Sequence, residues 1–452
     1  MSTLRRALAE IGPLAALAAP LVAGLVASTG VTLVDTAMLG PLGATPLAAV
    51  SLTTSVAIIF YAGLYGFAGP VGLFAGRCFG SGDLGGIGHI ARHGGLLASV
   101  GGLAGALLMA AGLLVLPFAG QPDEVLAVIG PYWLCLSASM LAFTHAMVVK
   151  NLLDAAGRPW LSVAVTVLPA LLNVFFNWLL IYGHWGFPRL GLTGAGIASL
   201  AAQAIGAVVG WVVVRHLPSL RAWWGPRRFE RAELARQWNE GRPMTVQLFL
   251  EGAAVAVAGV LIGLFGAVAL AGNQIALSVG STLYMLPLGV AGAVTIRIAQ
   301  VIGAEQWPRV GAIGQAGLLV VTGWMGGFAL LFLFAGAWIG GLFVDDPAVI
   351  AAAAAIFFVF GFTQLMDGVQ SVSLGALRGM LDNDFPTRVS LVAYWLIALP
   401  LSVLFGFGFD LGAPGVWAGF GVGLALAAGA LGWRFVRLSR AKAPPATVDA
   451  AD

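Results

Sequence analysis

The sequence predicts an all-α polytopic membrane protein, with twelve transmembrane helices in two six-helix bundles related by pseudo-two-fold symmetry along the membrane normal. Three observations carry this. Of 452 residues, 60% are hydrophobic and only 9% charged, where a soluble domain has about 25% charge. Apolar runs long enough to cross ~30 Å of hydrocarbon at 1.5 Å per residue recur along the whole chain. The chain also superposes on itself without a gap at a shift of 223 residues.

The runs cover 13–39, 46–73, 94–118, 127–150, 160–183, 191–216, 243–265, 269–297, 311–343, 348–377, 387–409 and 412–436. Arg5 and Arg6 precede the first run as in a signal peptide. That run is too long for an h-region and lacks a small-residue cleavage site, so it reads as a helix. The longest polar stretch, Arg215 to Arg242, divides the chain. The predicted parts are an N-terminal six-helix bundle (1–215), a cytoplasmic linker (216–242), a C-terminal bundle (243–438) and a disordered cytoplasmic tail (439–452).

Basic residues set the orientation. With both termini cytoplasmic, only Arg189 of the 22 Lys and Arg falls on the outer side, a strong positive-inside bias. The outer loops hold the acids Asp123, Glu124, Asp345, Asp346 and Asp410. The net charge of +3 therefore describes topology, and nucleic acid is not an expected partner. Even Arg227–Arg228 reads as a topology determinant beside anionic lipid headgroups.

At the 223-residue shift Pro20 falls on Pro243, Gly40 on Gly263, Gly43-Ala44 on Gly266-Ala267, Gly66 on Gly289 and Gly80 on Gly303. Further on, Gly191-x-x-Gly194 opens the sixth run as Gly412-x-x-Gly415 opens the twelfth. Six is even, so both halves have the same direction across the membrane, and the substrate path of such parallel repeats lies between them.

Several classes are excluded. Cys78 and Cys135 lie at a helix end and inside a helix and suggest no disulfide framework. No helix carries a His/Cys pair at metal-ligand spacing and no P-loop is present, so the chain contains no ATP motor. No nucleophile or cofactor constellation supports an enzyme.

Four acids, Asp35, Asp154, Glu251 and Asp367, sit inside or at the edge of apolar runs. A carboxylate in hydrocarbon costs roughly 3 kcal/mol or more, so such groups line a water-filled, ion-handling cavity. They also break the repeat: Asp35 corresponds to Ala258, and Glu251 to Ser28. Glu251 lies eight residues after Pro243, about 12 Å into the seventh helix, and Asp367 eleven residues before Arg378, about 16 Å from the same side. The pair is therefore expected at similar depth in the C-terminal half, sharing Na⁺ or a proton, with no other cofactor. Asp35 lies in the outer half of the first helix. Structural readings compete. Asp35 can pair with Thr32 and Thr36, Glu251 and Asp367 with Gln247, Asn273, Gln274 or Gln370, and Asp154 with Lys150 and Arg158. His145, within two positions of the Asp367 equivalent, is either a proton relay or a packed, hydrogen-bonded side chain.

The segments Val34-Asp35-Thr36-Ala37-Met38-Leu39-Gly40 and Leu374-Gly375-Ala376-Leu377-Arg378-Gly379 ahead of Pro386, with the Gly-x-x-Gly pairs, resemble the multidrug and toxic compound extrusion (MATE) transporters. Glu251 and Asp367-Gly368-Val369-Gln370 resemble the acidic pair of the NorM-like branch. The fourth-run end, Asn151 to Pro159, departs from the family's Gln-Gly-x-Gly. The resemblance implies export of amphipathic or cationic drugs and toxic metabolites in exchange for Na⁺ or H⁺, by a monomer in a bacterial inner membrane. Candidate cavity residues are Tyr61, Tyr65, Asn173, Asn177, Gln274, Tyr284 and Gln370; aromatic rings suit cations, and equally suit helix packing. A lipid-linked saccharide flippase would call for basic cavity residues, and a channel for a continuous pore; the acidic, asymmetric halves favour antiport.

Overall fold

The computed structural model describes residues 3–119, 121–224 and 228–441. Twelve of its helices are long and apolar enough to cross a membrane, and no strand occurs among the described residues. They are α1 (Thr3–Leu39), α2 (Ala44–Gly80), α3 (Leu84–Gly112), α4 (Asp123–Ala155), α5 (Pro159–Tyr182), α6 (Gly191–His216), α7 (Arg231–Gly263), α8 (Ala267–Gly303), α9 (Val310–Gly341), α10 (Pro347–Gly379), α11 (Asp384–Gly408) and α12 (Gly412–Ala441). Each overlaps a run read from the sequence, but α1 and α3 begin ten residues before their runs and α7 twelve, so that α7 starts within the stretch expected as a linker, while α3, α7 and α9 end two to six residues before theirs. The rest of the predicted tail, 442–452, and Arg227 lie outside the described residues.

The repeat is visible in the backbone. The turn between α1 and α2 is closed by Gly43 at φ +100, and that between α7 and α8 by Gly266 at φ +101. L side chains rarely adopt this conformation, which is why glycine stands at both positions. The Gly-x-x-Gly pairs permit close approach at the start of α6 and α12. A Cβ on Gly194 would lie 2.5 Å from the Leu180 carbonyl oxygen, and one on Gly415 2.6 Å from that of Phe405. In α11, Pro400 stands between two stretches of π-helix, Leu391–Ala398 and Leu404–Gly408. Proline removes a backbone donor, and wider turns accommodate such a break.

The chain forms two compact units. One holds the residues up to Val22, Gly80–Gly82 and those from Ala253 on; the other holds Ala23–Phe79 and Asp83–Gly252. Two helix halves are thus built into the unit dominated by the opposite half of the sequence. Leu14, Leu17 and Leu21 of α1 join a core with Val290, Val294, Val372 and Phe435. Conversely, α7 donates from Thr245 Oγ1 to the Gly63 carbonyl at 3.2 Å and from Gln237 Nε2 to the Ile90 carbonyl at 3.3 Å. Gly66 admits the α7 backbone, since a Cβ there would lie 2.8 Å from the Met244 carbonyl oxygen.

Candidate substrate and ion site

Asp35 stands near the end of α1 and accepts a short hydrogen bond from Asn177 Nδ2. Asn177 is fully buried and also donates to Asn173 Oδ1 at 3.1 Å. Asn173 in turn donates to Ser199 Oγ of α6 at 3.0 Å. The two asparagines are four residues apart on α5, which places them on one helix face. Both N–H groups of Asn177 are spent on oxygens, while its Oδ1 has no partner among the described residues. A buried acceptor left unpaired costs about 1–3 kcal/mol, a cost that a donor or a cation reaching Asn177 Oδ1 would offset. Among the described residues the hydrogen-bond partner of Asp35 is Asn177, and no basic side chain pairs with it; the side chains of Thr32 and Thr36 lie outside the described residues. Tyr132 of α4, which the sequence reading passed over, is buried within electrostatic reach of Asp35.

The other candidates of this unit are placed as follows. Tyr61 shares a 2.8 Å hydrogen bond with Ser139 and meets the Phe143 ring edge-on at 4.6 Å. Tyr65 is exposed. Next to Tyr61 in the sequence, and not itself among the candidates, Phe60 lines an apolar cavity of about 280 Å³ with Val56, Met109 and Trp133. His145 Nδ1 accepts from the Trp211 indole at 3.1 Å, which leaves the ring proton on Nε2, 3.0 Å from Ser99 Oγ. That tautomer, inferred from its partners, makes His145 a packed, hydrogen-bonded side chain. Asp154 is buried and paired with Lys150 at 2.7 Å, the i,i+4 ion pair that the sequence offered as one reading.

Glu251 belongs to this unit too, because the division falls after Gly252; its Oε2 accepts from Gln247 Nε2, one turn earlier, at 3.2 Å. Asp367 belongs to the other unit. It accepts from the Tyr284 hydroxyl of α8 at 3.2 Å, and Tyr284 also makes a short bond with Ser371 Oγ. Gln370 is buried and accepts from Tyr394 of α11 at 2.8 Å. Gln274 is exposed, while its neighbour Asn273 is buried and accepts from the Trp417 indole at 2.8 Å. Amide and phenol donors therefore meet all three candidate coupling acids.

The sequence reading missed Glu10. It is buried in α1 and held by Arg309 at 2.7 Å and Arg297 at 3.9 Å. The repeat held the signal, because Glu10 corresponds to Glu233 at the 223-residue shift. Glu233 is equally buried, and accepts from Gln237 at 3.0 Å.

Two stretches of the chain, 20–179 and 243–404, match the family model MatE, starting 223 residues apart as the internal repeat does. The chain is 33% identical over 432 residues to a protein of Rhizobium meliloti (strain 1021) named probable multidrug resistance protein NorM, covering 94% of this chain and 92% of that protein. A protein of the same name from Pseudomonas putida (strain KT2440) is 31% identical over 441 residues, 95% of this chain and 96% of its own length. Among solved structures, a mutant of the Vibrio cholerae MATE transporter VcmN is similar at a TM-score of 0.85 and 20% identity, covering 97% of this chain and 99% of that one. An outward-facing multidrug resistance MATE family transporter is similar at a TM-score of 0.86 and 18% identity, covering 95% and 96%. At these identities the structural likeness concerns the fold.

Proposed function

The chain belongs to the MatE family, and from that premise we propose that it is a secondary active multidrug exporter of the cytoplasmic membrane, exchanging amphipathic or cationic compounds for Na⁺ or H⁺. The observation that carries the proposal is Asp35, a carboxylate near the end of a membrane-spanning helix whose hydrogen-bond partner among the described residues is the neutral amide of Asn177. A fixed anion in a wet cavity attracts either a lipophilic cation or the coupling ion, and the two compete for it. A bound ion or drug then biases two packings of the bundle only by its differential affinity for them. Competition at one carboxylate, alternately open to either side, yields antiport. The names of the relatives, multidrug resistance proteins, support the same reading.

In this proposal Glu251 in one unit and Asp367 in the other are further carboxylates that each attract the driving cation, since carboxylate oxygens suit hard cations such as Na⁺. Both termini are cytoplasmic, as the basic residues direct, and the working unit is a monomer. Efflux of a fluorescent lipophilic cation from loaded proteoliposomes, under an imposed Na⁺ gradient or separately an imposed pH gradient, tests the proposal. Efflux driven by neither gradient would overturn it.

A further inference from the structure

An apolar groove of about 690 Å³ runs along one side of α1 and α5, lined among others by Ala27, Val34, Met38, Leu171, Phe175 and Trp178. Val34, Leu171 and Phe175 are exposed, as lipid-facing side chains are in a membrane-spanning bundle. From Ala27 to Met38 the groove follows α1 for about 16 Å. One leaflet's hydrocarbon is about 15 Å deep. The groove thus has the length of one acyl chain, and it lies on the side of the membrane away from the chain termini, where α1 and α5 end.

At that end stands Arg189, the one basic residue of the 22 that the topology places on this side. Its Nε donates to the Tyr182 carbonyl at 2.9 Å, and the Tyr182 hydroxyl donates to the carbonyl of Met38, a groove residue, at 2.7 Å. Tyr182 is one helical turn beyond Trp178, so the guanidinium is tethered just past the groove's mouth. Arg189 is exposed and makes no ion pair among the described residues.

Aromatic rings gather around the same mouth. Trp178 stacks on His184 at 4.1 Å, and Trp185 meets Trp178 at 5.6 Å and Phe175 at 5.9 Å. Trp185 has φ +57, a left-handed conformation rare outside glycine, and its side chain is 75% exposed. A strained backbone that holds a large indole out of the protein suits the headgroup level of a bilayer, where Trp and Tyr concentrate. The Trp178 indole N–H has no partner among the described residues, and can meet a lipid ester carbonyl.

We propose that the groove binds an anionic phospholipid, with one acyl chain along α1 and α5 and its phosphate on Arg189. Charge complementarity selects this occupant. A lipophilic cation would be repelled by Arg189, and a zwitterionic lipid would gain less from it.

Native mass spectrometry of the purified full chain, with phosphatidylglycerol or phosphatidylethanolamine added, tests this, with thermal unfolding as the check on folding. Wild-type protein should retain phosphatidylglycerol in preference to phosphatidylethanolamine. Arg189→Gln should weaken phosphatidylglycerol binding roughly fivefold, as expected for about 1 kcal/mol per basic side chain at an anionic surface, and leave phosphatidylethanolamine unchanged; Arg189→Lys should keep most of the preference. Gly30→Trp fills the groove where a Cβ meets nothing within 4 Å, and should lower retention of both lipids. Unchanged phosphatidylglycerol binding in a folded Arg189→Gln or Gly30→Trp variant would overturn the proposal. So would displacement of the lipid by an equal concentration of a lipophilic cation, which would make the groove a substrate path.

Discussion

Glu10 and Arg309 are 299 residues apart in the chain, and the Arg309 Nε–H donates to the Glu10 carboxylate at 2.7 Å. The bond ties the first turns of the chain to the segment joining α8 and α9, and Arg297 approaches the same carboxylate from α8 at 3.9 Å. The start of α1 is thereby fixed in a unit made mainly of residues from Ala253 on.

Glu10→Gln should therefore destabilise the protein. The carboxylate is buried but Arg309 is 41% exposed, so water screens part of the loss and about 1–2 kcal/mol is expected rather than the larger cost of breaking a wholly buried pair. Thermal unfolding in detergent should show a drop of a few degrees. The double variant Glu10→Gln/Arg309→Gln should be less destabilised than the sum of the two single ones. Strict additivity would mean that the pair contributes nothing to the fold.

The asparagine relay makes a second prediction. Asn177→Ala removes the donor held by Asp35 and the buried acceptor with it, and should weaken binding of a cationic substrate by about tenfold, the scale of one charge-assisted hydrogen bond. Asn173→Ala, one step further away, should cost less. Equilibrium binding of a fluorescent cation to purified protein measures both; equal losses would show that Asn173 touches substrate directly.

For the coupling ion, Glu251→Gln and Asp367→Asn should each abolish Na⁺- or H⁺-driven efflux without unfolding the protein, since an amide is cheaper than a carboxylate in a membrane. Wild-type efflux and ion dependence in Glu251→Gln would remove that residue from the account.

Close packing at the Gly-x-x-Gly pairs gives a fourth. Gly194→Ala and Gly415→Ala place a methyl within 2.6 Å of a backbone carbonyl oxygen, which forces the helices apart at about 1–3 kcal/mol each. Gly130→Ala, where a Cβ meets nothing within 4 Å, should be neutral or stabilising by up to about 1 kcal/mol. Unfolding midpoints of the three variants decide this.

The twelve spans were legible because each needs its own unbroken apolar run, and the repeat because Gly43 and Gly266 must both be glycine for their turns. The Lys150–Asp154 pair follows from i,i+4 spacing, and the meeting of Asn173 with Asn177 from the same geometry. The exchange of helix halves was not legible. An apolar run surrounded by lipid and protein carries no mark of which neighbour covers it, so Leu14 and Leu17 gave no hint that they pack against Val290 and Val294. Glu10 was missed because it precedes the first apolar run; its burial depends on Arg297 and Arg309, which only the fold brings to it.

The central claim is that Asp35 is where drug and coupling ion compete. It is tested most directly by efflux of a lipophilic cation from proteoliposomes holding wild type or Asp35→Asn, under an imposed pH or Na⁺ gradient, with Na⁺ binding measured on the same protein. The account predicts that Asp35→Asn loses gradient-driven efflux of the cation while still binding Na⁺ through Glu251 and Asp367. Undiminished efflux of the cation by Asp35→Asn under the gradient that drives the wild type would contradict it.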